Sequence, residues 1–393
     1  MKIVQYMSDF RLQAGGVTRA VLDLCAVLAS SGHEVHLLTL DRSDVPAEWN
    51  GASGRPRASE LGRSRLPIPR LNAHGRGEAM AAIAAADVVH LHVPWDPVCV
   101  QLAAMAHGAK RPYVITIHGM LDDWCMARNR LKKRLFHALA GRRLLERAAA
   151  VHCTAQAEAE QSAKWYPGGR SACVPLITDL SPFEHLPGSA PARRRFEREL
   201  GDGGVALFLS RLHPKKGLEA LIDAAGMMRT QGVHARVMIA GSGDEAYVSA
   251  LRRRVAEMGL GDGVRFLGFV SGMEKLSLYQ AADMLVLPTS QENWGFVLVE
   301  ALACGTPVVT TKGVDIWPEL ASSGGARIVP AEAGAIAETV AELLSDPARR
   351  RAMGEAGRQW VLESLSADRV IAGYEAMYAA AQASSPRGWE NAG

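Results

Sequence analysis

The chain has 393 residues, 48% apolar and 22% charged, an ordinary globular composition longer than one hydrophobic core usually organises, so extended disorder is excluded and two domains are expected. A formal net charge of +3 is too small to indicate nucleic acid as a partner, so any basic contact surface must be local. Six cysteines without a Cys-x-x-Cys pair or a Cys/His ligand spacing argue against a structural zinc and a disulfide framework, which leaves reduced thiols and a cytoplasmic location as the expectation.

The opening "MKIVQYMSDF" carries one lysine and an apolar run broken by Asp9, too short for a signal peptide, and no window holds 18 apolar residues without charge. From there short β-type runs alternate with longer helical patterns: "KIVQYM", "GVTRAVLDLCAVLASSG", "EVHLLTL", then "DVVHLHV", "YVITIH" and "AAVHCT". This rhythm implies parallel strands with helical crossovers. Residues 41–79, rich in Arg, Gly, Pro and Ser, read as an irregular excursion with one short helix. A first domain over 1–176 is followed by 177–200, where Pro, Gly and Ser cluster as in a linker. A second domain over 201–365 repeats the theme with "VALFLS", a helix near 217–231, "ARVMIAG", a helix near 245–258, "VRFLGF", a helix near 272–281, "MLVLP", a helix near 296–304 and "PVVTT". The fold class is therefore α/β, with two doubly wound parallel-sheet units facing a central cleft, and ligands are expected beyond the carboxyl ends of the strands.

Four segments fall at such strand ends. In "MLVLPTSQENWGFVLVEALACGTPVVTT" a strand, a loop and a helix place Glu292 on the loop and Glu300 on the helix, two acids in an apolar segment that require partners. The helix start at Gly295, Phe296 and Val297 offers free amides and a positive dipole end to a phosphate. In "FLSRLHPKKG", Arg211 and Lys216 set two cations at one strand end, enough to neutralise a diphosphate without a metal. No Asp-x-Asp triplet occurs in the chain, so metal-independent chemistry with no cofactor is favoured. "IAGSGDE" brings Gly241 and Gly243 into a turn after a strand, a weak signal alone, and "SDFRLQAGGV" sets Gly15 and Gly16 at a strand-to-helix turn where backbone can approach a ligand.

Together, Glu292-x7-Glu300, "ALACGTPVV", Arg211 with Lys216 before Gly217, "GSGD" and the N-terminal "GGV" resemble the retaining GT4 family of glycosyltransferases, which has the GT-B fold. The resemblance runs across nearly the whole chain and is densest over 204–320. It implies a nucleotide-diphospho-sugar donor, UDP- or GDP-linked, held mainly by the second domain, and a glycan or lipid-linked glycan acceptor held by the first. By matching position, Glu300 would bind the ribose hydroxyls, Glu292 the donor sugar, and Arg211 with Lys216 the leaving diphosphate, while His118, ending "VITIH", matches the active-site histidine beside the donor sugar. The family's final helix usually crosses back onto the first domain, and "SADRVIAGYEAMYAAAQ" at 366–382 is placed to do so, ahead of a tail over 383–393 expected to be disordered. Assembly of bacterial exopolysaccharide or envelope polysaccharide is the implied setting.

Departures are Asn293-Trp294, where Gly-Phe is common, and "VPLITDLSPF", where the family often has an Asn-Gly-Ile-Asp linker. A GT-B-fold sugar-nucleotide 2-epimerase and a catalytically inert binding subunit stand as alternatives, whereas a Rossmann dehydrogenase would need a G-x-G-x-x-G after the first strand. "HVPWDP" and "GMLDDWC", with Trp95 and Asp123, follow first-domain strands and are candidates for the acceptor side. The one local basic segment, 127–148, combines a leucine stripe (Leu131, Leu135, Leu139, Leu144, Leu145, with Phe136) with Arg and Lys. It reads either as a core-packed helix with a solvated basic face or as a surface helix on an anionic leaflet, which would put the protein at the inner face of the cell membrane.

Overall fold

The computed structural model describes residues 1–11, 16–64, 69–201 and 203–384. Its chain divides into two units, Met1–Thr178 with the segment from Ala367 onward, and Asp179–Ser366.

In the first unit, seven parallel strands form one sheet: β1 (Lys2–Tyr6), β2 (Glu34–Thr39), β3 (Arg57–Glu60), β4 (Val88–His92), β5 (Tyr113–Thr116), β6 (Ala150–Cys153) and β7 (Ser171–Cys173), in the order 3-2-1-4-5-6-7. Strands buried on both faces read as mostly apolar runs, which is why β1, β4, β5 and β6 were legible in the sequence, although each also buries a polar side chain: Gln5, His90 with His92, Thr116 and His152. Two strands were not legible. β3 lies inside the expected irregular excursion and β7 at the far edge, both too short and too exposed to carry an apolar pattern. The excursion also ends in a full helix, Ala73–Ala85, whose Asn72 cap accepts from Gly75 N at 2.8 Å. The helix Ala367–Ala383 packs on this sheet against β4 and β5, burying Val370, Ile371, Tyr374, Met377 and Tyr378.

The second unit holds six parallel strands: β8 (Gly204–Leu209), β9 (Ala235–Ala240), β10 (Val264–Gly268), β11 (Met284–Leu287), β12 (Val308–Thr310) and β13 (Ala326–Ile328). Their order is 10-9-8-11-12-13, so in each sheet the chain runs outward in one direction and then reverses beside its first strand. In such doubly wound sheets the reversal point, here between β8 and β11, opens a crevice at the carboxyl ends. This is the α/β class and the pair of Rossmann-like sheets expected above.

Part of the expected linker is corrected. Within 177–200 the helices Ala190–Arg195 and Glu197–Leu200 belong to the second unit, with Ala192, Phe196 and Leu200 buried and Ala192 N donating to Ser277 Oγ at 2.9 Å. Pro and Ser there open a helix rather than a flexible link, as Pro does in a first helical turn. The core-packed reading of 127–148 is corrected too. The segment is a short helix Arg130–Phe136, a π-turn His137–Gly141 and a short helix Arg142–Glu146. Leu144 and Leu145 are buried, but Leu131, Leu135 and Leu139 are 85%, 62% and 77% exposed. Among the described residues no helix is long and apolar enough to cross a membrane. The tail over 385–393 lies outside the described residues.

Candidate active site

The reversal point of the second sheet gathers the charged residues. After β8 the chain makes a tight turn, Pro214–Lys216, in which His213 Nδ1 accepts from Lys215 N at 3.2 Å. Gly217 follows at φ 73°, where a Cβ would overlap Pro288 O at the end of β11. That close approach lets the two loops bond: Ser290 N and Thr289 Oγ1 donate to Lys215 O at 2.8 and 3.0 Å. Lys215 Nζ reaches Gln291 Oε1 at 3.1 Å, and Lys216 Nζ forms an ion pair with Glu292. The loop bearing Glu292 is fixed from its other side, because Glu292 N donates to Gly313 O at 2.8 Å and Asp315 N to Glu292 O at 2.9 Å.

Two motifs 76 residues apart are thus joined because β8 and β11 are hydrogen-bonded neighbours. Lys216 is 4% exposed. Burial first, then Lys215 and Arg211, push its ammonium down to about 7. Direct contact with the Glu292 carboxylate opposes all three and favours the charged form. Arg211 itself is exposed at the end of β8.

Glu300 sits in the middle of the helix Phe296–Ala303 and is met by the preceding helix, Gly272–Ala281. Lys275 Nζ lies 2.7 Å from Glu300 Oε1, and Tyr279 Oη donates to Glu300 Oε2 at 2.9 Å. Burial, then the Glu300 charge, hold the Tyr279 phenol well above its usual range. Both acids of the apolar segment therefore have protein partners. Lys275 and Tyr279 carried no sequence signal, since they lie in a helix whose pattern shows neither a motif nor a turn. Gly295 caps the helix at its start, ahead of Phe296 and Val297, and Trp294 is buried with no acceptor for its Nε1–H among the described residues.

Gly241 and Gly243 have a packing reason of their own. Gly241 stands at φ 137° where a Cβ would overlap Ser210 O, and one at Gly243 would overlap Leu212 O. Leu212 N donates to Ser242 O at 2.8 Å, so these glycines bring the loop after β9 against the loop that carries Arg211.

In the first unit, His118 follows β5 in a left-handed conformation at φ 49° and is buried. Gly119 N donates to the buried Glu158 carboxylate, which also accepts from Thr154 N at 2.5 Å and Thr154 Oγ1 at 2.9 Å, anchoring this turn. Burial, then His152, push the His118 imidazolium down to about 3, so the ring is neutral near neutral pH. Trp95 donates through Nε1 to Met120 O at 3.2 Å and lies edge-on to Phe136. Asp123 is exposed and pairs with Lys164 at 2.5 Å. Gly16 opens the helix Gly16–Ser30, while Gly15 lies outside the described residues.

Both halves of the chain match known families. Residues 14–181 match Glycosyltransferase Family 4, and residues 191–360 match Glycosyl transferases group 1. A D-inositol 3-phosphate glycosyltransferase of Mycolicibacterium smegmatis is 31% identical over 403 aligned positions, covering 95% of this chain and 89% of the relative. The chain belongs to glycosyltransferase family 4. This family 4 chain is also 34% identical to a GDP-mannose-dependent alpha-(1-6)-phosphatidylinositol monomannoside mannosyltransferase of the same species, over 50% of the chain and 56% of that relative's length. Among solved structures, HepE from Anabaena, determined in complex with UDP, has a TM-score of 0.77 at 18% identity, covering 96% of this chain and all of that one. Sucrose-phosphate synthase from Thermosynechococcus elongatus has a TM-score of 0.70 at 22% identity, with 96% and 99% covered. At such identities the likeness is one of fold, and that fold is GT-B.

Proposed function

We propose that this family 4 chain transfers a sugar, with retention and without a metal, from a nucleotide-diphospho-sugar to a hydroxyl of a glycan or lipid-linked acceptor. The observation that carries the reading is the Lys216–Glu292 ion pair at the reversal point of the second sheet, with Arg211 beside it. A diphosphate arriving there takes over Lys216 as its counter-ion and gains Arg211. As the bond to the sugar lengthens and charge grows on the diphosphate, the buried Lys216 and the exposed Arg211 stabilise that charge more than the ground state, the buried cation more strongly. Glu292, released from Lys216, accepts from hydroxyls of the donor sugar, and Glu300 on its neighbouring helix accepts from the ribose. The amides from Gly295 to Val297 and the turn at Gly241 and Gly243 line the phosphates, and Gly16, at the start of its own helix, is a further candidate for a backbone contact with the donor. His118 contacts the sugar. The acceptor is deprotonated on the same face by a phosphate oxygen, so no side-chain base is required.

The names of two relatives specify GDP-mannose or an inositol phosphate, which makes GDP-mannose the first donor to test, ahead of UDP-sugars. The exposed leucines at 131, 135 and 139, interleaved with Arg130, Lys132, Lys133 and Arg134, support an acceptor presented at an anionic leaflet in envelope polysaccharide or glycolipid assembly. Trp95 and Asp123 remain candidates for that acceptor side.

The deciding experiment is sugar transfer from GDP-mannose or UDP-glucose in excess EDTA, with the anomeric configuration of product followed by NMR. Undiminished turnover and a product of the donor's configuration are expected; a full metal requirement or an inverted product would sink the respective part of the reading. Flotation with phosphatidylglycerol vesicles is expected to carry the protein, and binding unchanged after neutralising Lys132, Lys133 and Arg134 would remove the membrane part.

A further inference from the structure

One face of the first sheet is polar where a doubly wound sheet is ordinarily apolar. Strand register puts Gln5 beside His90, His92 beside Thr116, and Thr116 beside His152, and the two-residue spacing puts His90 and His92 on the same face. The helix Ala367–Ala383 covers them with Tyr374 and Tyr378. Every one of these side chains is buried.

They form a single file of hydrogen bonds. His152 Nε2 lies 2.9 Å from Val174 O, and His152 Nδ1 lies 2.7 Å from Thr116 Oγ1. Thr116 Oγ1 lies 2.6 Å from His90 Nε2, and His90 Nδ1 lies 2.8 Å from Tyr378 Oη. Gln5 Nε2 is 3.1 Å from Tyr378 Oη, Gln5 Oε1 is 2.8 Å from His92 Nε2, and His92 Nδ1 is 3.1 Å from His118 Nε2. His118 Nδ1, at the end, is buried with no partner among the described residues.

The direction of this file is fixed at its other end. A backbone carbonyl only accepts, so His152 Nε2 must carry hydrogen, and a neutral ring then offers a lone pair at Nδ1. Thr116 has one hydroxyl hydrogen and gives it to His152, so it accepts from His90 Nε2–H. His90 Nδ1 therefore accepts from Tyr378, Tyr378 accepts from the Gln5 amide, and Gln5 Oε1 accepts from His92 Nε2–H. His92 Nδ1 is left to accept from His118 Nε2–H. The reverse direction would set a His152 lone pair against the Val174 carbonyl at 2.9 Å. Burial holds all four rings well below the usual histidine range, His152 at about 4, in keeping with the neutral state.

We infer that the file from Val174 O to His118 fixes His118 as its Nε2–H tautomer, so that Nδ1 accepts a hydrogen bond from a ligand hydroxyl, with Tyr378, Gln5 and His92 as positioning residues. A phosphate, carboxylate or carbonyl oxygen cannot pair with that lone pair; a sugar hydroxyl can. That the hydroxyl belongs to a sugar rests on the function proposed above. The helix that returns to the first unit from the end of the chain is then part of the site's chemistry, because Tyr378 supplies the link without which the amide of Gln5 is free to turn over.

Long-range 1H–15N NMR of 15N-histidine-labelled full-length protein near neutral pH reads the tautomers directly, each ring assigned by a single substitution. All four rings are expected as Nε2–H; hydrogen on His118 Nδ1, or a cationic ring, would overturn the inference. Tyr378→Phe is expected to turn the His118 signal into a tautomer mixture and to lower kcat/KM for the nucleotide-sugar about tenfold. If that variant only melts earlier, with the His118 tautomer and kcat/KM unchanged, the relay is overturned. In the parent protein GDP-mannose or UDP-glucose, whichever is turned over, is expected to shift the His118 Nδ1 resonance, and an equal shift with the bare nucleoside diphosphate would overturn the hydroxyl assignment. The tautomer measurement uses protein alone, so it stands or falls whether or not any nucleotide-sugar is turned over.

Discussion

The two units solve the burial of polar groups in opposite ways. In the first, Gln5, His90, His92, Thr116, His152 and Tyr378 are neutral, fully buried and joined in single file, so each donor has one acceptor and the arrangement has one direction. In the second, Lys216 with Glu292 and Lys275 with Glu300 are ionic pairs at strand ends and helix faces, with the carboxylates still partly open to water. A directional neutral file has one lowest-energy arrangement and holds a geometry. An ion pair at an edge can exchange its carboxylate for a phosphate with little loss of Coulomb energy, and so suits a ligand that must come and go.

Lys216→Ala tests the exchange most severely. It removes the cation from the leaving group and strands Glu292, so kcat is expected to fall about 10²- to 10³-fold and stability by about 3 kcal/mol, read by steady-state kinetics and denaturant melts. Adding Glu292→Gln to Lys216→Met should restore most of the stability and none of the turnover. A double variant that works normally would show the pair to be merely structural.

Acid distinguishes the units next. The four buried histidines of the first unit have folded pKa values below their unfolded value of about 6.5, so above that pH both states are neutral and these rings leave stability unchanged. Below it the unfolded chain takes protons that the fold refuses, and stability is lost as pH falls toward about 4 for His152 and about 3 for His118. The expected slope approaches about 1.4 kcal/mol per pH unit for each ring, measured as urea midpoints between pH 7 and 4.5. A flat profile would mean that the folded rings take up protons as readily as the unfolded ones, against the neutral file. The smallest effect is expected of Glu300→Gln, which keeps the Tyr279 contact and weakens the pairing with Lys275 and the ribose: KM for the donor rises about tenfold with kcat little changed. A fall in kcat alone would place Glu300 nearer the chemistry than proposed.

The rhythm of apolar runs and helical patterns made the two parallel sheets legible, because strands covered on both faces carry mostly apolar sequence. β3, β7 and β13 were not legible, being edge strands too short to carry a pattern. Arg211, Lys216 and Glu292 were legible as polar residues at strand-to-helix turns and Glu300 as an acid inside an apolar helix, while "DVVHLHV" also carries a signal, since histidines two apart in an apolar strand share one face.

By itself the sequence determined the class of fold, the family and the turns at which charge collects, since period, turn chemistry and motif spacing are local properties. Tertiary structure alone decided who meets whom. Lys216 finds Glu292 because β8 neighbours β11, Glu300 finds Lys275 and Tyr279 because two helices pack, and Tyr378 closes the histidine file from the far end of the chain. Those pairings follow from strand order and register, which are set by burial summed over the whole sheet and leave no mark at any one position.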